Sequence, residues 1–140
     1  MTAAVPPLPI IDTDSRPFWE SCRSHAMAIQ RCASCGSVRF PPRRICPVCG
    51  CDRHEWIPVS GEAVVYASLV VVQAPHPFWS GRSPFNLSLL QLAEGVRMWA
   101  NVTGCAPDEV RIGDRVHLDY EDVSPEVTLP RFIRGAPKAQ

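Results

Sequence analysis

"RCASCGSVRFPPRRICPVCG", residues 31–50, sets two Cys-x-x-Cys pairs ten residues apart. A Cys-x-x-Cys turn places two thiolates on one edge of a tetrahedral metal, and a second such turn supplies the other two. Cys32, Cys35, Cys46 and Cys49 satisfy that arithmetic. The residues between the pairs are enough for a strand, a turn and a returning strand, which would bring one knuckle against the other. Gly36 and Gly50 each follow the second cysteine of a pair, where a knuckle turn asks for positive φ. The spacing therefore predicts a ribbon held by structural Zn2+. A thioredoxin-like redox site would need one pair on a βαβ unit, which the pattern lacks. A disulfide framework fits poorly with seven cysteines, an odd number, and with an amino terminus lacking a basic, then apolar, leader. Four thiolates also close the metal to water and substrate, so the ion is read as a staple and not as a catalyst. Cys51 lacks the knuckle spacing to Cys46 and is left as a free thiol or a neighbour of the cage. Cys22 and Cys105 are isolated and read as packed thiols.

Outward from the ribbon, the 140 residues suffice for one compact core with an accessory module. Fourteen basic residues balance fourteen acidic ones, so no global field draws the chain to nucleic acid or to an anionic membrane. No segment reaches the roughly 18 apolar residues of a membrane helix, and the expected location is cytoplasmic. Before the ribbon, a proline-rich arm leads to Asp14-Ser15-Arg16-Pro17, an N-cap residue with a proline in the first turn. A short helix is expected from Arg16 to Ser24, and its Phe18 and Trp19 form an aromatic face that either packs on its own domain or docks a partner.

After Gly61 the pattern turns to strands. Residues 63–72 are rich in β-branched side chains, 86–92 and 96–102 alternate around a turn at Glu94-Gly95, 116–121 alternate again, and 128–133 form a last short strand. Five strands with little helix predict a mainly β protein: a short N-terminal helix, a zinc ribbon, then a five-stranded OB-like antiparallel barrel. The proline-rich loop 73–85 joins the first two barrel strands. It carries Phe78, Trp79 and Arg82, two aromatic faces and a cation suited to stacking a base or holding a phosphate. The competing reading is a stiff loop whose aromatics cover the barrel end. Arg39, Arg43 and Arg44 are a further candidate anion contact. No nucleophile elbow, Walker loop, dinucleotide fingerprint or His-Glu-x-x-His pattern occurs, so no catalytic residue is assigned.

The order "RPFWESC", "QRCASCGSVRFPPRRICPVCG", "EWIPVSGEAVVYASLVV", a Pro/Phe-rich loop and "IGDRVHLDYE" resembles the OB-fold proteins with an amino-terminal rubredoxin-like zinc ribbon, over about residues 14–134. The resemblance implies an arm and helix at 1–25, the ribbon at 26–58, the barrel at 59–135 and a tail at 136–140. It further implies a non-catalytic companion of a thiolase-like, aldolase or MaoC-type hydratase partner in lipid, steroid or polyketide acyl-CoA metabolism, which helps to bind the acyl-CoA. Phe18 and Trp19 are then the candidate partner contact, and Phe78, Trp79 and Arg82 the candidate ligand contact. The alternative is a single-stranded nucleic-acid-binding module, which requires a basic stripe interleaved with aromatics. Equal charge and the acidic run Asp119, Glu121, Asp122 argue against it.

Overall fold

A computed structural model describes residues 7–135; the tail expected at 136–140 and the first six residues of the arm lie outside the described residues. Helix α1 (Arg16–Arg23) begins at Ser15. Ser15 is the N-cap, but its hydroxyl makes no bond into the helix. It accepts instead from the Asp12 N–H at 3.1 Å, while the Asp12 carboxylate accepts from the Ser15 N–H at 2.8 Å. The helix thus starts where the Asp14-Ser15-Arg16-Pro17 stretch predicts, with the reciprocal Asp12–Ser15 bonds holding the turn that precedes it. These bonds from Ser15 hold the Asp12 carboxyl below its usual range. The helix ends without glycine: His25 adopts φ 56°, a left-handed conformation that costs a β-carbon-bearing residue free energy. Its ring is stacked on Tyr120 with centroids 4.6 Å apart, and Nε2 meets Asp122 Oδ1 at 3.0 Å. That contact ties the helix end to the barrel.

The ribbon sheet has the order β2 (Val38–Arg39), β1 (Ala28–Cys32), β3 (His54–Pro58), all antiparallel, with β1 and β3 paired from Ala28–Pro58 to Cys32–His54. The second sheet contains β4 (Glu62–Val71), β5 (Phe85–Leu92), β6 (Arg97–Ala100), β7 (Val102–Thr103), β8 (Arg115–Asp122) and β9 (Thr128–Arg134). Its order is β6-β5-β4-β8-β9-β7. The third expected barrel strand is therefore two short ones, interrupted at Asn101. The two ends of the sheet meet through that residue and not through a ladder, so the strands are OB-like but the barrel is not closed by hydrogen bonds. One pairing departs from the antiparallel expectation: β7 runs parallel to β9.

Why the strand breaks there is visible in the hydrogen bonds. Asn101 donates its side-chain amide to the Asn86 carbonyl at 2.7 Å, and its own carbonyl accepts the Phe132 N–H at 3.1 Å. Asn86, 3% exposed, donates to the Ser68 hydroxyl at 2.9 Å and accepts from the Ser88 hydroxyl at 2.7 Å. A satisfied polar knot thus sits where β4, β5 and β7 converge, and each of its buried groups has a partner. Period two puts Leu87 and Leu89 on the opposite face of β5 from Leu90 and Leu92, and it is the second pair that turns inward, together with Asn86 and Ser88.

One core runs through all three pieces. Phe18 and Cys22 of α1, Met27 and Ile29 of the ribbon, and Val65, Leu90, Val116 and Phe132 of the barrel belong to a single buried cluster. Phe18 packs edge-on against Trp19 (5.0 Å) and beside Phe40 (5.2 Å). The Tyr120 hydroxyl accepts the Met27 N–H at 2.8 Å. Phe18→Ala should therefore cost about 3–5 kcal/mol in urea unfolding, and Tyr120→Phe about 1–3 kcal/mol through the orphaned N–H. A loss under about 1 kcal/mol for Phe18→Ala would mean that the helix is not part of this core.

Candidate metal centre

The two knuckles are built alike. In the first, the Gly36 N–H donates to the Cys32 carbonyl at 3.1 Å, and in the second the Gly50 N–H donates to the Cys46 carbonyl at 2.9 Å. Gly36 and Gly50 have φ of 76° and 79°, which explains glycine at both positions. The Ser34 and Cys35 N–H groups point at Cys32 Sγ from 3.4 and 3.5 Å. The β1–β3 ladder ends at Cys32, and this brings the first knuckle to the strand end against the second.

The four sulfurs of Cys32, Cys35, Cys46 and Cys49 lie within 4.8 Å of one another. Cys32–Cys49 is 3.5 Å and Cys35–Cys46 is 3.7 Å. Sulfurs at the corners of a tetrahedron with Zn–S bonds of about 2.3 Å stand about 3.8 Å apart. The donor set and its spacing therefore fit a structural Zn2+ in a closed four-thiolate site. Proton affinities in this cluster are already uneven. The Ser37 hydroxyl, with backbone N–H groups, pulls Cys46 down to about 5 and also lowers Cys35. At Cys49 the backbone of Cys51 pulls downward, but the bond with Cys32, burial and the other thiols together push it up to about 11. A bound metal needs all four as thiolates.

The other cysteines stay outside the cage. Cys51 Sγ accepts the Arg53 N–H at 3.3 Å. Cys105 is half-buried beside Arg134. Cys22 is fully buried, and burial pushes its thiol up to about 12. The arginines near the ribbon separate as well. Arg39 is buried and donates twice to the Arg43 carbonyl, while the Gln30 side chain accepts the Arg43 N–H at 2.8 Å. Arg39 thus shapes the loop 40–44, and of the three candidate anion contacts Arg43 and Arg44 face solvent. Sequence reasoning placed Gln30 nowhere; a polar residue one place after an apolar strand position gave no signal of its burial.

The aromatic candidates are placed as follows. Phe18 is 3% exposed and its area is used by the chain's own core, leaving Trp19 half-buried at the surface. In the loop, α2 (Pro77–Ser80) carries Phe78 and Trp79. The Arg82 guanidinium lies 4.0 Å from the centre of the Phe78 ring and 3.7 Å from Glu121, and Trp79 packs on Phe85 at 4.6 Å. The structure does bring Phe78, Trp79 and Arg82 together, but with one ring face covered by the arginine. Among the described residues no helix is long and apolar enough to cross a membrane.

A four-thiol ribbon joined through a helix to an OB-like sheet defines a zinc-ribbon–OB-fold protein. Residues 19–55 match the family described as "ChsH2, rubredoxin-like zinc ribbon domain", and residues 56–121 match "ChsH2, C-terminal OB-fold domain". The chain belongs to this family, in which the DUF35 proteins are its relatives. It is 36% identical over 137 residues to the "Probable enoyl-CoA hydratase alpha subunit" of Thermomonospora curvata, covering 98% of this chain and 42% of that one. It is 36% identical over 94 residues to a "DUF35 domain-containing scaffold protein" of Methanocaldococcus jannaschii, covering 66% of each. Among solved structures, a chain of the "Ltp2-ChsH2(DUF35) aldolase" superposes with a TM-score of 0.83 at 36% identity, over 91% of this chain and 98% of that one. The chain thus spans about two fifths of the hydratase subunit and nearly all of the aldolase chain.

Purified protein should contain one zinc per chain by elemental analysis, and Cys46→Ser should release it. Because Met27 and Ile29 belong to the core shared with the barrel, loss of the metal should lower the melting temperature of the barrel as well as unfold the ribbon. In the zinc-loaded protein, Cys22 should resist alkylation at pH 8 while Cys51 and Cys105 react, as peptide mass spectrometry can read directly.

Proposed function

We propose that this protein is a non-catalytic accessory subunit that binds a thiolase-like, aldolase or hydratase partner in acyl-CoA metabolism. The observation that carries the reading is the match to a chain of an aldolase assembly along nearly its whole length. Relatives named as a hydratase alpha subunit and as scaffold proteins support the same class. The site chemistry agrees: four thiolates leave no open metal position, and the polar knot at Asn86 is spent on internal bonds. Half-buried Trp19, at the junction of helix and ribbon, is a candidate partner contact. The loop of Phe78, Trp79 and Arg82 is a candidate contact for the acyl-CoA, provided that Arg82 exchanges its hold on Phe78 for a phosphate.

Single-stranded nucleic acid is the second reading. It is disfavoured by the packing of the loop aromatics, since a stacking platform needs free ring faces, whereas Phe78 lies under Arg82 and Trp79 against Phe85. Co-expression with thiolase-like, aldolase and hydratase proteins of the same organism should yield, with one of them, a complex that survives size exclusion at micromolar concentration. Elution apart from every one of them would remove the reading. Salt-sensitive binding of labelled single-stranded oligonucleotides would move the weight to the alternative.

A further inference from the structure

The outer face of β4, β5 and β6 carries cross-strand rows of apolar side chains. Ala67 stands opposite Leu89, which stands opposite Trp99, and Leu69 stands opposite Leu87. Beside them, Tyr66 sits at the register shift between Val65 and Ala67. Trp99 is 54% exposed, Tyr66 48% and Leu69 45%, although the sheet's interior is filled by other residues. A groove of about 820 Å³ continues the face toward β8, lined by Val64, Tyr66 and Ile112 with Arg115 and His117. Exposed apolar area of this extent on a sheet that could have been polar marks an interaction site, and Trp, Tyr and Arg are the side chains that dominate such sites.

Charge indicates what covers it. Among the described residues, the barrel's Arg82, Arg131 and Arg134 are each within ion-pair distance of a carboxylate. Arg97 on β6 and Arg115 in the groove, which border the apolar face, make no such pair there. Arg97 instead lies over the Tyr66 ring, 3.7 Å from its centre. Glu62 is the one acidic residue lining the groove. A two-fold contact with a second copy would set this patch against itself, arginine facing arginine across an apolar centre. The face is suited to a different chain.

We infer that the β4–β5–β6 face, with the groove beside Ile112, is the docking surface for the acyl-CoA-processing partner subunit, whose matching surface is apolar and ringed by carboxylates. This inference rests on the accessory-subunit reading. It places a contact on the barrel, away from the metal cage and additional to the candidate contact at Trp19.

The test uses the full chain with the co-expressed partner. Hydrogen exchange of the wild-type complex should show new protection at residues 62–69, 87–99 and 111–115. Trp99→Glu, and the double variant Arg97→Glu with Arg115→Glu, should each weaken the complex by about 10-fold or more, with unchanged melting temperature as the folding control. Glu126→Arg, in the turn between β8 and β9, should leave affinity within about twofold. Protection elsewhere, or wild-type affinity in both face variants, overturns the inference while the accessory reading stands. Absence of any complex overturns both. A chain that is dimeric alone and becomes monomeric with Trp99→Glu would assign the face to a second copy and overturn it too.

Discussion

A module of some thirty residues buries too little apolar surface to fold by itself, and this constraint shapes the whole molecule. The ribbon meets it twice. At one end four thiols converge on a site fitted to zinc, an interaction worth on the order of 10 kcal/mol in structural sites. At the other end, Met27 and Ile29 continue into the barrel's core through Phe18 and Cys22 of the helix. The helix is itself too short to be stable alone, so it is equally a product of that core. Helix, ribbon and barrel are therefore one thermodynamic object, although they read as three segments.

The sequence announced the parts that obey local rules. Cysteine spacing gave the cage because thiolate geometry is carried by the turn itself, and glycines after each pair marked positive φ. Strands 63–72, 86–92 and 116–121 were legible from β-branched residues and alternation, and their observed bounds differ by a residue or two. What was not legible depends on partners distant in the chain. Asn86 and Ser88 face inward because the Ser68 hydroxyl and the Val102 N–H, brought in by tertiary structure, satisfy their side chains. His25 takes a left-handed conformation because Tyr120 and Asp122, nearly a hundred residues on, hold its ring. The direction of Phe18 could not be read for the same reason: an aromatic on a short helix looks alike whether it faces a core or a partner.

At the candidate sites the same division holds. The ligands of the cage are a local pattern; the fate of the loop aromatics is not. Phe78 and Arg82 have the composition of a stacking site, yet on folding they find each other and Glu121 first. Conversely, alternation along β5 requires one pair of leucines to face outward but does not say whether it is Leu87 and Leu89 or Leu90 and Leu92. The inward amide and hydroxyls reverse the usual polarity of the strand, and an apolar exterior is the geometric consequence of a polar interior.

Within the cage, Cys32 and Cys46 are buried whereas Cys35 and Cys49 are exposed. Each knuckle thus contributes one inner and one outer sulfur. A competing chelator or an electrophile arriving from solvent meets one ligand of each arm before it meets either inner ligand. The cage is consequently open to solvent on both arms alike, while its inner sulfurs are packed within the ribbon.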